Sequence, residues 1–433
     1  MQLPENHPQR FQLANEVHAR PHAPLAAPQR ASYLAVLVDP AQRAREQAHL
    51  ATLCERYGAH PPPADAIHFA ADLGPFRLRW ERHTEFSSHT FFLRGASATP
   101  FVDPAAGAVP KDWLAGIPGH TIVAAHAELL DRAQALPDLA GISANFGGNY
   151  VVGSGIGDGA AAAFTDFRVH ADGFGRFLVF DRDLSSYQAG RSLQRLFEIE
   201  TYRMMALLAL PIAREVSPRL ADMERELALL TAALARGDGS DEGLLEALTR
   251  LAADVESAIG ESRFRFSATR AYHDLVGGRI TELREKRMPG TQTLAEFMAR
   301  RLSPAIATCE SVAHRLVELS ERVTQAGNLL STRVDVARER QNQSLLTSMD
   351  RRARLQLRLQ ETVEGLSIAA ITYYLVGLVA YAARGLHAGG VRLDVDLVTA
   401  VSIPVVALLT ALGTRWVRRR IARAGAPGLV PDP

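Results

Sequence analysis

The sequence predicts an α+β protein: a mixed α/β N-terminal cytoplasmic domain, a long coiled-coil-like helical stalk, and a C-terminal two-helix transmembrane hairpin. Three observations predict it. Short β-type runs are confined to residues 1–183. Apolar residues at helical spacing dominate from there to residue 365. Two uncharged apolar runs with arginine-rich outer flanks then close the chain. The divisions are an α/β domain at 1–183, a helical domain at 184–304, a stalk helix at 305–365, the hairpin at 366–413 and a basic tail at 414–433.

The chain has 433 residues, of which 22% are charged, and a formal net charge of +1. That length allows two or three domains. The balanced charge gives no sign of a nucleic-acid-binding surface. Cys54 and Cys309 stand far apart without CxxC spacing, so they read as free buried thiols rather than a disulfide or zinc site. The opening "MQLPENHPQRFQLANEVHARP" has no apolar stretch of signal-peptide length.

In the first domain, "SYLAVLVD" (32–39) reads as a strand, and the following segment reads as a helix from Pro40 to Gly58. "AIHFAADL", "FRLRWERH" and "EFSSHTFFLRG" read as successive strands. The second alternates Phe76, Leu78 and Trp80 with Arg77, Arg79 and Glu81. "TIVAAHAELL", "NYVVGSGIG", "AAAAFTDFRVHAD" and "GRFLVFD" add more. The glycine-rich "GISANFGGNYVVGSGIGDGA" matches neither a P-loop nor a dinucleotide fingerprint, and reads as turns around a strand.

Two motifs carry ionisable groups. In "NEVHARP", an extended chain places Glu16, His18 and Arg20 on one face, a candidate anion- or ligand-binding set. A tethering strand explains the same pattern, and neither a nucleophile nor a supporting acid accompanies it. In "TDFRVHADGFGR", strand alternation places Asp166, Arg168, His170 and Asp172 on one polar face. Alternate strand residues stand ~7 Å apart, too far for a compact metal site. No metal, cofactor or catalytic residue is assigned, and the residues lean against an enzyme without deciding the question.

The middle of the chain lacks strand signals. Leu193, Leu196, Phe197, Ile199 and Met204 predict a helix that Pro211 ends or kinks. Helices follow around 212–236, 241–259 and 263–287. Val312, Leu316, Leu319, Val323, Ala326, Leu330, Val334 and Ala337 form a heptad-like stripe suited to helix-on-helix packing. A single helix from about residue 305 into the bilayer would rise roughly 90 Å.

"LSIAAITYYLVGLVAYAA" (366–383) carries no charge. Eighteen helical residues cover about 27 Å, near the ~30 Å thickness of the hydrocarbon layer. The second run lies at about 396–413. Arg351, Arg352, Arg354 and Arg358 precede the first span, and Arg415, Arg418, Arg419 and Arg420 follow the second. These arginines are candidate lipid-headgroup contacts. The positive-inside rule places both termini in the cytoplasm and the linker outside. Thr372, Tyr373 and Tyr374 are the candidate pore-lining or helix-packing residues of the first span. The expected partners are anionic lipid headgroups and further copies of the chain, with no nucleic acid.

"HPQRFQLANEVHARP", "TDFRVHADGFGR", "LFEIETYRMMALLALP" and "LQETVEGLSIAAITYYLVGLVAY" together resemble an uncharacterised bacterial membrane-anchored family, the domain-of-unknown-function family 3422. The resemblance covers nearly the whole chain and implies this architecture without an activity. The layout is also similar to that of CorA-type magnesium channels. Their Gly-Met-Asn signature is missing, since "YAARGLHAGG" stands after the first span. These likenesses frame three expectations: an oligomeric scaffold or sensor on the membrane, a CorA-like channel or transporter, or a tethered enzyme using "NEVHARP".

Overall fold

A computed structural model describes residues 4–11, 13–14, 22–134, 136–390 and 392–424, excepting the side chains of 418, 419 and 421–424. It divides into two units, Met1–Leu330 and Ser331–Pro433.

The first unit is built on one nine-stranded mixed sheet. In chain order its elements are β1 (Gln29–Leu37), α1 (Arg43–Arg56), β2 (His68–Asp72), β3 (Arg77–Arg82), β4 (Phe86–Arg94), α2 (Lys111–Ala115), β5 (His120–Leu130) and α3 (Leu139–Ala144). Then come β6 (Val152–Ile156), β7 (Ala161–Thr165), β8 (Gly175–Asp181), α4 (Ser186–Leu207), α5 (Ala209–Arg236), α6 (Asp241–Leu283), β9 (Lys286–Arg287) and α7 (Leu294–Arg301). The strand order is β2-β3-β4-β1-β5-β8-β7-β6-β9. Every neighbour pair is antiparallel except β5 with β8.

Strand alternation sends two apolar sets to opposite faces. Leu34, Val36, Leu78, Trp80 and Phe91 meet Leu50 and Leu53 of α1 in one core. Ala31, Tyr33, Ala35, Ala125, Ala127 and Phe177 meet Leu193, Leu196, Phe197 and Met205 of α4 in the other. A third core gathers Phe101, Ile142, Phe146, Phe164 and Phe180 toward the β6 side. Cys54 and Cys309 are free and buried.

The helices follow their caps. α4 starts on a capping box between Ser185 and Gln188. Pro211 falls in the first turn of α5, where its missing N–H costs nothing, so the break precedes it, at Leu208. The expected break near residue 260 is absent: α6 runs unbroken for 43 residues and stops at Arg284, whose φ is 49°. Gly260 has open space around it, and helix propensity alone is too weak to interrupt a helix held by buried Val255, Ala258, Phe266 and Val276.

A helix α8 runs Ser303–Ala388. Within the first unit its stripe, from Ile306 through Val312, Leu316, Leu319 and Val323 to Leu330, is buried. Arg315 is bonded to Glu224 of α5 at 2.7 Å, and Ser320 to Glu256 of α6 at 2.8 Å. This part of the heptad-like stripe is therefore occupied by the chain's own helices.

The second unit holds the rest of α8 and α9 (Val395–Ala424). Two helices here are long and apolar enough to cross a membrane; of the most apolar window of α9 no residue is buried. Leu366, Tyr373, Tyr374, Leu378, Tyr381, Leu397, Leu408 and Leu409 all stand exposed.

Candidate functional site: a buried polar cleft beneath helix α4

β3 does not expose its polar face. Arg77, Arg79 and Glu81 alternate with Leu78 and Trp80, yet Arg79 and Glu81 are only 8% and 7% exposed. The reason is tertiary: α4 covers this face as well as the apolar centre of the sheet. The antiparallel register sets Glu81 opposite Ser88 and Arg79 opposite Thr90 of β4. On the next strand, Tyr33 lies opposite Thr90.

The side chains form a continuous chain of polar bonds. Arg79 donates to Glu81 at 2.7 Å and to Gln194 of α4 at 2.9 Å. Gln194 donates to Glu198 one turn on, at 2.7 Å. The other carboxylate oxygen of Glu198 accepts from Arg279 of α6, which also donates to Glu282 at 3.0 Å. Glu282 in turn accepts from Arg195 at 2.8 Å. Each buried charge is thus paired, as burial demands.

A narrow cavity lies within this network, walled by Phe86, Phe92, Leu193 and Phe197 and by the polar groups of Arg79, Glu81, Ser88, Thr90, Glu198 and Tyr202. Its free volume is about 20 Å³, room for one or two water molecules. Ser88 and Thr90 are 2% and 7% exposed. Both residues line the cavity, and neither hydroxyl oxygen is among the fully buried polar atoms that lack a partner. Burial, then the charge of Glu198, pushes the Tyr202 phenol up to about 12, so it stays a protonated donor.

The two ends of the cleft are lined by different groups. At one end Ala23 crosses α4 at Gly190, where a Cβ would stand 1.8 Å from the Ala23 carbonyl oxygen; only glycine permits that approach. Neighbouring His22 has its pKa lowered by burial and then by Arg191, Arg79 and Arg195. At the other end stand Glu81 and Glu198, and beyond them Glu85, which accepts from Tyr272 at 3.0 Å and pairs with Arg265 at 2.5 Å.

Other titratable clusters have local structural duties. Ser32 and His126 are hydrogen-bonded at 2.9 Å, but both are buried, and the serine oxygen also accepts the Ala106 N–H. Glu128 caps the loop at Ser97 and Phe101. Among the described residues, no group of three His, Cys, Asp or Glu side chains could hold a metal ion.

"TDFRVHADGFGR" departs from the strand reading. β7 ends at Thr165, and Phe167 adopts φ 51°. The turn brings His170 Nε2 within 3.1 Å of Asp166 Oδ2, where a flat strand would hold them apart. Asn149 donates to the same carboxylate at 2.8 Å, and the Arg168 N–H to its other oxygen at 3.2 Å. Stacking of Phe167 on Phe297 of α7, with ring centroids 4.6 Å apart, holds the turn.

Glu16, His18 and Arg20 lie outside the described residues. Thr372, Tyr373 and Tyr374 share a groove with Gly377, Tyr381 and Thr399; both tyrosines are exposed, and the Thr372 hydroxyl is buried without a hydrogen-bond partner among the described residues. Arg351, Arg352, Arg354, Arg358, Arg415 and Arg420 are exposed, while the side chains of Arg418 and Arg419 lie outside those described.

A family model described as "Protein of unknown function (DUF3422)" matches residues 5–421. The chain belongs to that family. No curated protein and no solved structure gives a significant match. For this DUF3422 chain the cleft therefore rests on its own geometry. Sequence reading misses Arg79, Glu81, Ser88, Thr90, Gln194 and Glu198 because they sit on separate elements. The available signal was Gln194 and Glu198 beside the apolar stripe of α4, four residues apart on one face.

Proposed function

We propose that this protein is a membrane-anchored, self-associating scaffold whose α+β domain faces the cytoplasm and acts as a sensor. The observation that carries the reading is the second unit's exposure of Leu366, Leu378, Leu397, Leu408 and Leu409 on two long apolar helices. In water each such side chain forfeits about 1.5–3 kcal/mol of burial, which a lipid phase restores. The arginines around residues 351–358 and 415–420 support an inward-facing pair of ends, since each attracts anionic headgroups by about 1 kcal/mol. The test is fractionation of cells making the full-length chain. Retention in membranes after alkaline carbonate supports the anchor, and release into the supernatant overturns it.

Self-association is supported by an unusual row on the first span. Gly365, Ala369, Tyr373, Gly377, Tyr381 and Gly385 recur every fourth residue, small alternating with large from Ala369 onward. A Cβ at Gly365, Gly377 or Gly385 would meet nothing within 4 Å. Each glycine costs a helix roughly 1 kcal/mol against alanine, and no contact among the described residues requires that cost. A second copy supplies a reason: tyrosines of one span fill the notches of the other, and their hydroxyls gain partners that hydrocarbon cannot offer.

A further inference from the structure

We propose that the stretch of α8 ahead of the first span, from Leu345 to Leu366, pairs with the same stretch of a second copy as a parallel, in-register, two-stranded coiled coil. This rests on the self-association part of the function above and extends that contact out of the bilayer.

Three observations carry the proposal. First, the stretch packs on nothing in its own chain. Every residue from 335 to 363 is exposed. Those 29 residues cover ~44 Å of helix, and helices in proteins owe most of their stability to a packed apolar face. Leu345, Met349, Leu355, Leu359, Val363 and Leu366 nevertheless lie open to solvent.

Second, the apolar and charged residues are sorted by a seven-residue repeat. With Met349 at position a, Leu345, Leu359 and Leu366 fall at d and Val363 at a, the two positions that form a coiled-coil seam. Leu346, Ala353 and Leu355 fall at e and g, beside the seam. Asp350, Arg351, Arg354, Arg358, Glu361 and Glu364 all fall at b, c and f, on the outer side. Each class has one exception, Leu357 at b and Arg352 at d. A solvated helix has no need of that sorting.

Third, the occupant follows from position. Leu345 stands 21 residues ahead of Leu366, or ~31 Å along the helix, so hydrocarbon cannot cover the seam. Because α8 is one helix from Ser303 to Ala388, the repeat runs on into the span, where Tyr373 falls at d and Gly377 at a. Both belong to the row that a second copy fills, so one partner covers stalk and span. Two copies enter the bilayer in the same sense, which makes the pairing parallel. Leucine at d with valine at a favours two strands. Arg352 at d and Gln356 at the next a form a polar layer. A slip of one repeat would set Arg352 against Leu345 or Leu359, so the layer fixes the register at a cost in stability.

The experiment is disulfide cross-linking of the full-length protein in native membranes, with one cysteine introduced at a time. The parent chain, whose Cys54 and Cys309 are buried, supplies the background. Leu345→Cys and Leu359→Cys should each give covalent dimers at least fivefold above Arg354→Cys, which lies on the outer side. Adding Val363→Asp should lower the Leu359→Cys dimers at least fivefold with membrane retention unchanged. Equal yields from Leu359→Cys and Arg354→Cys, the result of random collision, overturn the proposal. So do Leu359→Cys dimers indifferent to Val363→Asp. An absence of dimers at both d positions overturns it as well. Dimers through Ala380→Cys in the same membranes would then leave the span contact standing, and their absence would remove self-association altogether.

Discussion

The Arg79 guanidinium lies 2.7 Å from the Glu81 carboxylate, two residues on along the same face of β3, with side chains only 10% and 9% exposed. A charge pair in that position is costly to break and cheap to replace. Removing one partner strands the other in low dielectric, at about 3–5 kcal/mol. Glu81→Ala should therefore lower the thermal midpoint of the detergent-solubilised protein by several degrees. The double variant Arg79→Leu with Glu81→Leu should recover most of that loss. A double variant no more stable than the single one would show that the ion pair is not the source of the effect.

Gly190 tests the seating of residues 22–25 on α4. Alanine there drives its Cβ into the Ala23 carbonyl. The segment must lift, losing the bond from the Leu25 N–H to the Ser186 carbonyl at 2.9 Å and the burial of Leu25. Hydrogen exchange of the Leu25 amide should rise at least tenfold in Gly190→Ala. Unchanged protection would mean that the backbone accommodates the methyl group elsewhere.

Acid should weaken the first unit at moderate pH. Burial lowers His126 to about 4, against a raising influence from Asp172 and a lowering one from Arg176. Burial, then the nearby His49, lowers His89 to about 3. Both rings are neutral in the fold and charge on unfolding, so the unfolded chain binds more protons. Their contribution is present above pH ~6.5 and is lost as pH falls toward 4 and then 3, with a slope of at most about 1.4 kcal/mol per pH unit for each ring. Denaturant titrations between pH 7 and 4.5 should show that slope, and His89→Phe should flatten it. A wild-type curve that is level over this range would contradict the assigned protonation states.

The row on the first span predicts that Gly377→Leu fills the notch meant for a neighbouring tyrosine. Cross-linking in native membranes, through a cysteine at Ala380 in place of the native residue, should give covalent dimers or higher species in the parent. These should fall at least fivefold in Gly377→Leu, with membrane retention unchanged. Tyr373→Phe should weaken them less, since it keeps the shape and removes only the hydroxyl. Cross-linking insensitive to Gly377→Leu would move the interface to another face.

The elements that were legible in the chain share a cause. Turn glycines and short-range apolar spacing act within a few residues, so Gly58 and the strand "FRLRW" announce themselves locally. The cleft did not, because Arg79 and Glu198 are 119 positions apart and meet only when α4 crosses the sheet edge. Nor did the pairing of Asp166 with His170, since a left-handed Phe167 in place of a strand residue is decided by its stacking partner on α7.

From its residues alone, this protein's α+β class and its two membrane-length apolar helices were already legible, because composition and periodicity set which faces must leave water; its membership of DUF3422 rests on likeness of sequence. Tertiary structure decided which polar groups are buried together. Strand register and the crossing of α4 bring oppositely charged side chains from distant elements into one dehydrated space, and that proximity gives the cleft its chemistry.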